Sequence, residues 1–272
     1  MRTETSFDVA VIGGGHAGIE AAVAAARLGC RVALITSALE TLGQMSCNPA
    51  IGGVAKGTVV REVDALGGIM GRATDRASIQ FRMLNRGKGP AVWAPRAQCD
   101  RGLYRRAVRS LVESHLRVTT IQGTVTRLII ENGQVVGVET LEQRRFGARA
   151  VVVTTGTFGR GKIHIGTAIQ LAGGRAGEHA TTHLTEQLAE VGLEVQRFKT
   201  GTPPRIDGRG VNFSKCAPQH SELDDFRYLW SHFGKAEGAG KREDESWQAA
   251  VSDRSGGATL RQLPCWITYA GA

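Results

Sequence analysis

The chain has 272 residues, 42% of them hydrophobic, and no apolar run approaching a membrane span, which leaves room for one large or two ordinary globular domains with ample core. Its start, MRTETS, lacks the apolar stretch of a secretory signal, and its five cysteines (30, 47, 99, 216 and 265) include no C-x-x-C. Neither a disulfide framework nor a zinc site is indicated, a reducing cytoplasm is the natural setting, and the net charge of +9 invites an anionic partner.

Phe7 to Ile12 is a short apolar, β-branched run, suited to a buried parallel strand. The next six residues, Gly13, Gly14, Gly15, His16, Ala17 and Gly18, fit G-x-G-x-x-G, and Ile19 to Leu28 follows as an alanine-rich helix. Gly29 stands where a helix C-terminal glycine belongs, and Arg31 to Thr36 reads as a second strand. In that context Gly13 serves a tight turn, Gly15 a close approach to pyrophosphate, and Gly18 close packing of helix on strand. The acid that usually ends the second strand and holds a ribose is replaced by Thr36.

Thr41 to Gly57 is rich in Gly, Asn and Pro and reads as a polar loop beside the nucleotide. Cys47 lies in the middle of it, readable either as a small buried hydrophobe or as a nucleophile. Val59 to Met70 has a helical period, Ile79 to Leu84 is short and mixed, and Asn85 to Pro90 is a basic glycine loop. Arg101 to Val112 is an amphipathic helix, with Leu103, Tyr104, Ala107, Val108, Leu111 and Val112 inward and Arg101, Arg105, Arg106 and Arg109 outward.

Between residues 72 and 109 stand ten basic residues, nine of them arginines, against only Asp75 and Asp100. Such a segment is either a solvated face or a surface for a polyanion such as RNA.

From Val118 the period becomes two. Thr124 to Ile130 and Val135 to Thr140 flank Asn132-Gly133, a hairpin signal, and Ala150 to Thr155 reads as a buried strand running into Gly156. Residues 161–166 and 173–178 read as glycine loops, Thr182 to Val191 as a helix with Leu184, Leu188 and Val191 inward, and Glu194 to Phe198 as a strand. His179 and His183 have helical i,i+4 spacing without the glutamate of a zinc helix, so no metal is assigned to them. Residues 200–207 form a rigid proline loop, 214–257 read as a poorly ordered insertion, and Cys265 to Tyr269 as one more strand. The order predicts an α/β, Rossmann-like flavoprotein fold of the two-dinucleotide-binding type, with a β-hairpin or meander and an inserted second domain. The first part of the FAD domain spans 1–205, and the start of the inserted domain, partly disordered and truncated, spans 206–272.

The blocks GGGHAG (13–18), LGQMSCNPAIGG (42–53), LNRGKGPAV (84–92), PRAQCDR (95–101), VTTGTF (153–158), GKIHIG (161–166), GGRAGE (173–178) and KTGTPPRID (199–207) resemble the glucose-inhibited division protein A family, in that family's order. The resemblance implies an FAD-dependent enzyme that adds a (carboxymethyl)aminomethyl group at uracil carbon five of the tRNA wobble uridine. It further implies a partner GTPase subunit, methylenetetrahydrofolate as carbon donor, NADH to recycle FAD, and a homodimer of the complete protein. Carried over by position, Gly13 to Gly18 cradle the FAD pyrophosphate, and Val125 meets the adenine through its backbone. Ala180 is a further FAD contact, at a place where the family often has serine. Cys47 corresponds to a family cysteine that takes part in catalysis; the RNA contacts are expected from the basic segment itself, on Arg86, Lys88, Arg101, Arg105 and Arg106.

Thr36 in place of the acid is what this family normally shows. The family chain continues further, with a Cys-Pro-Ser motif, an NAD-contacting segment and a helical tRNA- and partner-binding domain. This chain therefore resembles an N-terminal fragment or the product of a truncated or frameshifted reading frame. The related folate- and FAD-dependent tRNA uracil methyltransferase, and a non-catalytic remnant that binds nucleotide or RNA, remain the other two readings.

Overall fold

The computed structural model describes residues 5–175, 177–222, 230–231 and 260–269. In chain order the elements are β1 (Thr5–Ile12), α1 (His16–Arg27), β2 (Val32–Thr36), β3 (Ala50–Gly52), α2 (Val54–Ala65), α3 (Met70–Asp75), β4 (Ser78–Leu84), β5 (Ala94–Cys99) and α4 (Arg101–Glu113). There follow β6 (Val118–Gln122), β7 (Val125–Glu131), β8 (Gln134–Thr140), β9 (Arg145–Val153), β10 (Lys162–Ile165), β11 (Ile169–Ala172), α5 (His183–Glu190), β12 (Ala217–Gln219) and β13 (Cys265–Ile267). They group into two compact units, Met1–Ser46 with Val108–Thr200, and Cys47–Ala107 with Gly201–Ala272.

The first unit is built on a six-stranded sheet of order β6-β2-β1-β9-β8-β7. Strands β6, β2, β1 and β9 are parallel, while β9, β8 and β7 run antiparallel. All five residues of β2 are buried, as its continuous apolar run requires of a strand inside a parallel sheet. At the tip of the β7–β8 hairpin Asn132 and Gly133 both take positive φ, 50° and 75°, the backbone of a two-residue type I′ turn. Phe7, Ile12, Ile35, Val125, Leu128, Val138, Phe146 and Leu184 share one core. The crossover from β2 to β6 carries residues 47–107 of the second unit before the chain returns along α4.

In the second unit β3, β5 and β4 form an antiparallel sheet of order β3-β5-β4, and β12 pairs with β13. Residues 219–222 run beside β4: Gln80 donates to the Gln219 carbonyl at 2.6 Å, and the Glu222 amide to the Phe81 carbonyl at 3.0 Å.

Several elements depart from the sequence reading. The stretch 41–57 is not a polar loop throughout: Leu42, Met45 and Ile51 are buried, and it holds β3 and the start of α2. Gly52, at φ +121°, makes this possible, because a Cβ there would lie 2.1 Å from the Pro95 carbonyl oxygen of the neighbouring strand.

The helical period over 59–70 is split into α2 and α3 at Gly67-Gly68, so Val59 and Leu66 are exposed. The run 150–155 is a strand only to Val153, and Ala150 and Val152 are exposed rather than buried. Residues 162–165, expected within a glycine loop, instead pair with 169–172 as a hairpin. Glu194 to Phe198 is not a strand: its residues are exposed and pair with no strand among the described residues, and β-propensity without a partner does not make a strand. Val191 is exposed, because α5 ends at Glu190. Of the expected insertion at 214–257, residues 217–219 form β12, and 223–229 and 232–257 lie outside the described residues.

Candidate functional site

The glycine turn at the end of β1 is held on three sides, twice by backbone and once by a side-chain hydroxyl. Gly13 donates to the Ile35 carbonyl at 2.8 Å, and the Gly43 amide donates to the Gly14 carbonyl at 2.8 Å. On the third side the Thr154 hydroxyl donates to the carbonyls of Ile12 (2.8 Å) and Gly13 (3.2 Å). Gly13 takes φ +107°, and a Cβ on it would lie 2.5 Å from the Thr154 carbonyl oxygen. A Cβ on Gly18 would lie only 1.8 Å from the Gly13 carbonyl oxygen, so α1 can sit this close to β1 only with glycine there.

Gly15 is different in kind. Its φ is −75°, and a Cβ there would meet no protein atom within 4 Å. The fold itself therefore does not need glycine at 15; the residue leaves space in front of the helix start. Gly15 is the N-cap of α1, no side chain caps that helix, and its first turn carries no acid. Ala17 is exposed in that turn, and His16 opens it. Uncapped first-turn amides and the positive end of the helix dipole suit an anion such as a pyrophosphate, so the residues present fit a dinucleotide.

Thr36, at the end of β2, is 8% exposed, and its Oγ1 lies 2.9 Å from where a Cβ on Gly14 would be. A Cβ at position 14 would therefore crowd the Thr36 hydroxyl, so glycine is what fits at 14. The Thr36 carbonyl accepts the Gly123 amide at 2.9 Å, so the chain entering β7 starts beside the end of β2. Val125, two residues on, is thereby brought to the same end of the sheet as the glycine turn, with its side chain in the core. Ala180 belongs to a separate stretch, in which Thr181 exchanges backbone hydrogen bonds with Phe158 and Arg160 at 2.9 and 2.8 Å.

Cys47 lies in the second unit. Its Sγ donates to the Gly201 carbonyl at 3.7 Å, and its own carbonyl accepts from the Arg205 guanidinium at 2.7 Å. Lys56, an exposed residue whose ammonium donates to the Ala50 carbonyl at 3.0 Å, is electrostatically coupled to the Cys47 and Cys99 thiols. Desolvation of the ammonium is the largest influence on Lys56 and lowers its pKa. Cys99 is pushed up to about 12, first by burial and then by Asp75, and so is no nucleophile.

The arginine-rich segment is not uniformly available. Arg82 and Arg86 both pair with Glu222, at 2.8 and 3.2 Å, and Arg109 pairs with Glu113 at 2.8 Å. Arg72, Arg76 and Arg101 are half-buried, whereas Lys88, Arg105 and Arg106 are exposed. Arg101, Arg105 and Arg106 share α4, and Arg86 and Lys88 share a 3-10 turn. Sequence reasoning missed Thr154, Gly43 and Arg205. A threonine directly after a strand facing a glycine turn was a usable signal for Thr154, and nothing local marks Arg205 as a partner of residue 47.

The family described as glucose inhibited division protein A matches residues 8–247. The tRNA uridine 5-carboxymethylaminomethyl modification enzyme MnmG of Phocaeicola vulgatus is 54% identical over 263 residues, 97% of this chain and 38% of that protein. The GidA structure from Aquifex aeolicus superposes with a TM-score of 0.82 at 43% identity, over 96% of this chain and 40% of that one. A GidA-related protein from Thermus thermophilus shares the fold, with a TM-score of 0.51 at 22% identity over 70% of this chain and 71% of that one. The chain thus spans about two fifths of the length of the larger relatives it matches. On the match over residues 8–247, the chain belongs to the glucose inhibited division protein A family.

Proposed function

We propose that this chain is the FAD-binding portion of an enzyme that installs a (carboxymethyl)aminomethyl group on carbon five of the tRNA wobble uridine. The observation that carries the reading is 54% identity to the P. vulgatus enzyme over nearly the whole of this chain, glycine turn and Cys47 region included. A GTPase partner, methylenetetrahydrofolate as carbon donor, NADH as reductant, a homodimer and a cytoplasmic setting belong to the same reading. Among the described residues no helix is long and apolar enough to cross a membrane.

In this proposal Gly13, Gly14, Gly15, His16, Ala17 and Gly18 hold the FAD pyrophosphate against the α1 amides, and Val125 and Ala180 contribute to the rest of the nucleotide. Bound FAD would supply redox chemistry to the transferred carbon. Arg86, Lys88, Arg101, Arg105 and Arg106 hold phosphates of the tRNA. Cys47 acts on the base: uracil carbon five is a poor nucleophile until a group adds at carbon six, and a thiolate adds there reversibly.

The test is Cys47→Ser in the complete protein, with mass analysis of wobble uridine from cells that carry only the variant. The fold, bound FAD and tRNA affinity are expected to persist while the modification disappears. Normal modification would reduce Cys47 to a packing residue.

A further inference from the structure

Two contacts join Cys47 to a stretch more than 150 residues away in sequence. Its Sγ–H points to the Gly201 carbonyl at 3.7 Å, and Arg205 Nη2 donates to its carbonyl at 2.7 Å. Gly201 and Arg205 bracket Thr202-Pro203-Pro204, in a stretch with no regular secondary structure. Each proline ring fixes its own φ, and each disfavours the helical region for the residue before it. The carbonyl acceptor and the guanidinium donor are thus presented by a stiff rod rather than a loose loop.

On the other side, Cys47 is followed within two residues by an anchored strand. The Pro49 carbonyl accepts the Cys99 amide at 2.7 Å, and Ala50 to Gly52 pair with β5. Before it, Ser46 is exposed. The cysteine therefore hangs from a fixed sheet at its C-terminal side, with its own peptide and sulfur oriented from residues 201 and 205.

We propose that residues 201–205 form a clamp that sets the direction of the Cys47 thiol, with Arg205 as its positioning residue. The clamp is a statement about geometry; only its consequence for catalysis rests on the function proposed above. A guanidinium can hold a carbonyl in line at the end of a long planar fork, and a lysine can replace one donor but not the plane. An error of about 1 Å in a reacting group costs on the order of a hundredfold in rate, which is the scale on which such a clamp matters.

The experiment compares native protein, Arg205→Lys and Arg205→Ala in the complete protein. Iodoacetamide labelling at fixed pH is followed by mass analysis of the peptides containing Cys47 and, as control, Cys30. With the clamp gone, Cys47 in Arg205→Ala is expected to label at least threefold faster, Arg205→Lys to stay within twofold of native, and Cys30 to be unchanged in both. In steady-state modification, Arg205→Ala is expected to lose at least tenfold in kcat with KM for tRNA within twofold, and Arg205→Lys to recover most of the loss.

Native-like labelling of Cys47 in Arg205→Ala overturns the proposal. So do a parallel rise at Cys30, which reports general loosening, and a raised KM at unchanged kcat, which makes Arg205 an RNA contact. Should Cys47→Ser retain modification, the catalytic reading of Cys47 fails, while the labelling comparison still decides whether the clamp exists.

Discussion

The side-chain amide of Gln187 closes both backbone positions of Leu128. The Leu128 amide donates to Gln187 Oε1 at 2.7 Å, and Gln187 Nε2 donates back to the Leu128 carbonyl at 2.9 Å. Strand β7 is an edge of the main sheet, and the glutamine on α5 supplies at that point what a further strand would supply. The pair fastens α5 to the hairpin beside Leu184 and Val138 of the core.

Gln187→Ala leaves one donor and one acceptor at Leu128, itself 6% exposed, without their partner. The expected loss is about 1–3 kcal/mol, the usual cost of stranding such groups. Gln187→Glu keeps the acceptor but sets a carboxylate oxygen against a carbonyl, and should destabilise more than alanine does. Urea unfolding followed by circular dichroism checks both, and equal stability of all three proteins would remove the amide from the account.

Asp75 makes a distinct prediction about pH. Its carboxyl accepts the Trp230 and Ser231 amides, with Arg61 and Asp64 as the charged neighbours, and burial first and Asp64 after it push its pKa up to about 7. A carboxyl that ionises near 3.8 when unfolded but near 7 when folded binds its proton more tightly in the native state, so its contribution to stability falls as pH rises from about 4 through 7. Asp75→Asn removes that titration. The variant should be less stable than native at pH 5, where the neutral acid is intact, and gain on it steadily up to pH 8. A melting-temperature difference that stays constant across that range would contradict the assignment.

Arg101, Arg105 and Arg106 are proposed tRNA contacts. Replacing all three with alanine should weaken tRNA binding and make the slope of log K against log salt shallower by about 2, since each phosphate contact contributes roughly 0.7–0.9. Arg105 and Arg106 are exposed on α4, so their replacement spares the buried Tyr104, Ala107 and Val108, whereas Arg101 is half-buried beside them and its replacement is checked by the melting temperature of the variant. A weakened affinity at unchanged slope would show that these arginines are not at the phosphates.

The first βαβ unit was legible in the sequence because its apolar runs, glycine spacing and helix stop are local signals, and the Asn132-Gly133 hairpin was legible for the same reason. The buried character of Leu42, Met45 and Ile51 was not, because it depends on glycines that allow close approach to Pro95 and Val108, which are distant in sequence. The arginine-rich segment was read as one patch because the acid that neutralises Arg82 and Arg86, Glu222, lies far along the chain. In the sequence Gly13, Gly15 and Gly18 read as one motif, and only the structure separates Gly15, where a Cβ would meet nothing, from Gly13 and Gly18, which the fold itself requires.

That separation gives the most direct test of the central claim that the turn at 13–18 is the FAD cradle. Gly18→Ala drives a Cβ into the Gly13 carbonyl and should cost the fold itself. A Cβ at Gly15 meets no protein atom within 4 Å, so Gly15→Val in the complete protein should keep the circular dichroism and melting temperature of the FAD-free native protein. Flavin absorbance of purified Gly15→Val is therefore the decisive measurement. The account predicts a colourless, folded protein that does not take up added FAD, and a yellow protein with one flavin per chain would contradict it.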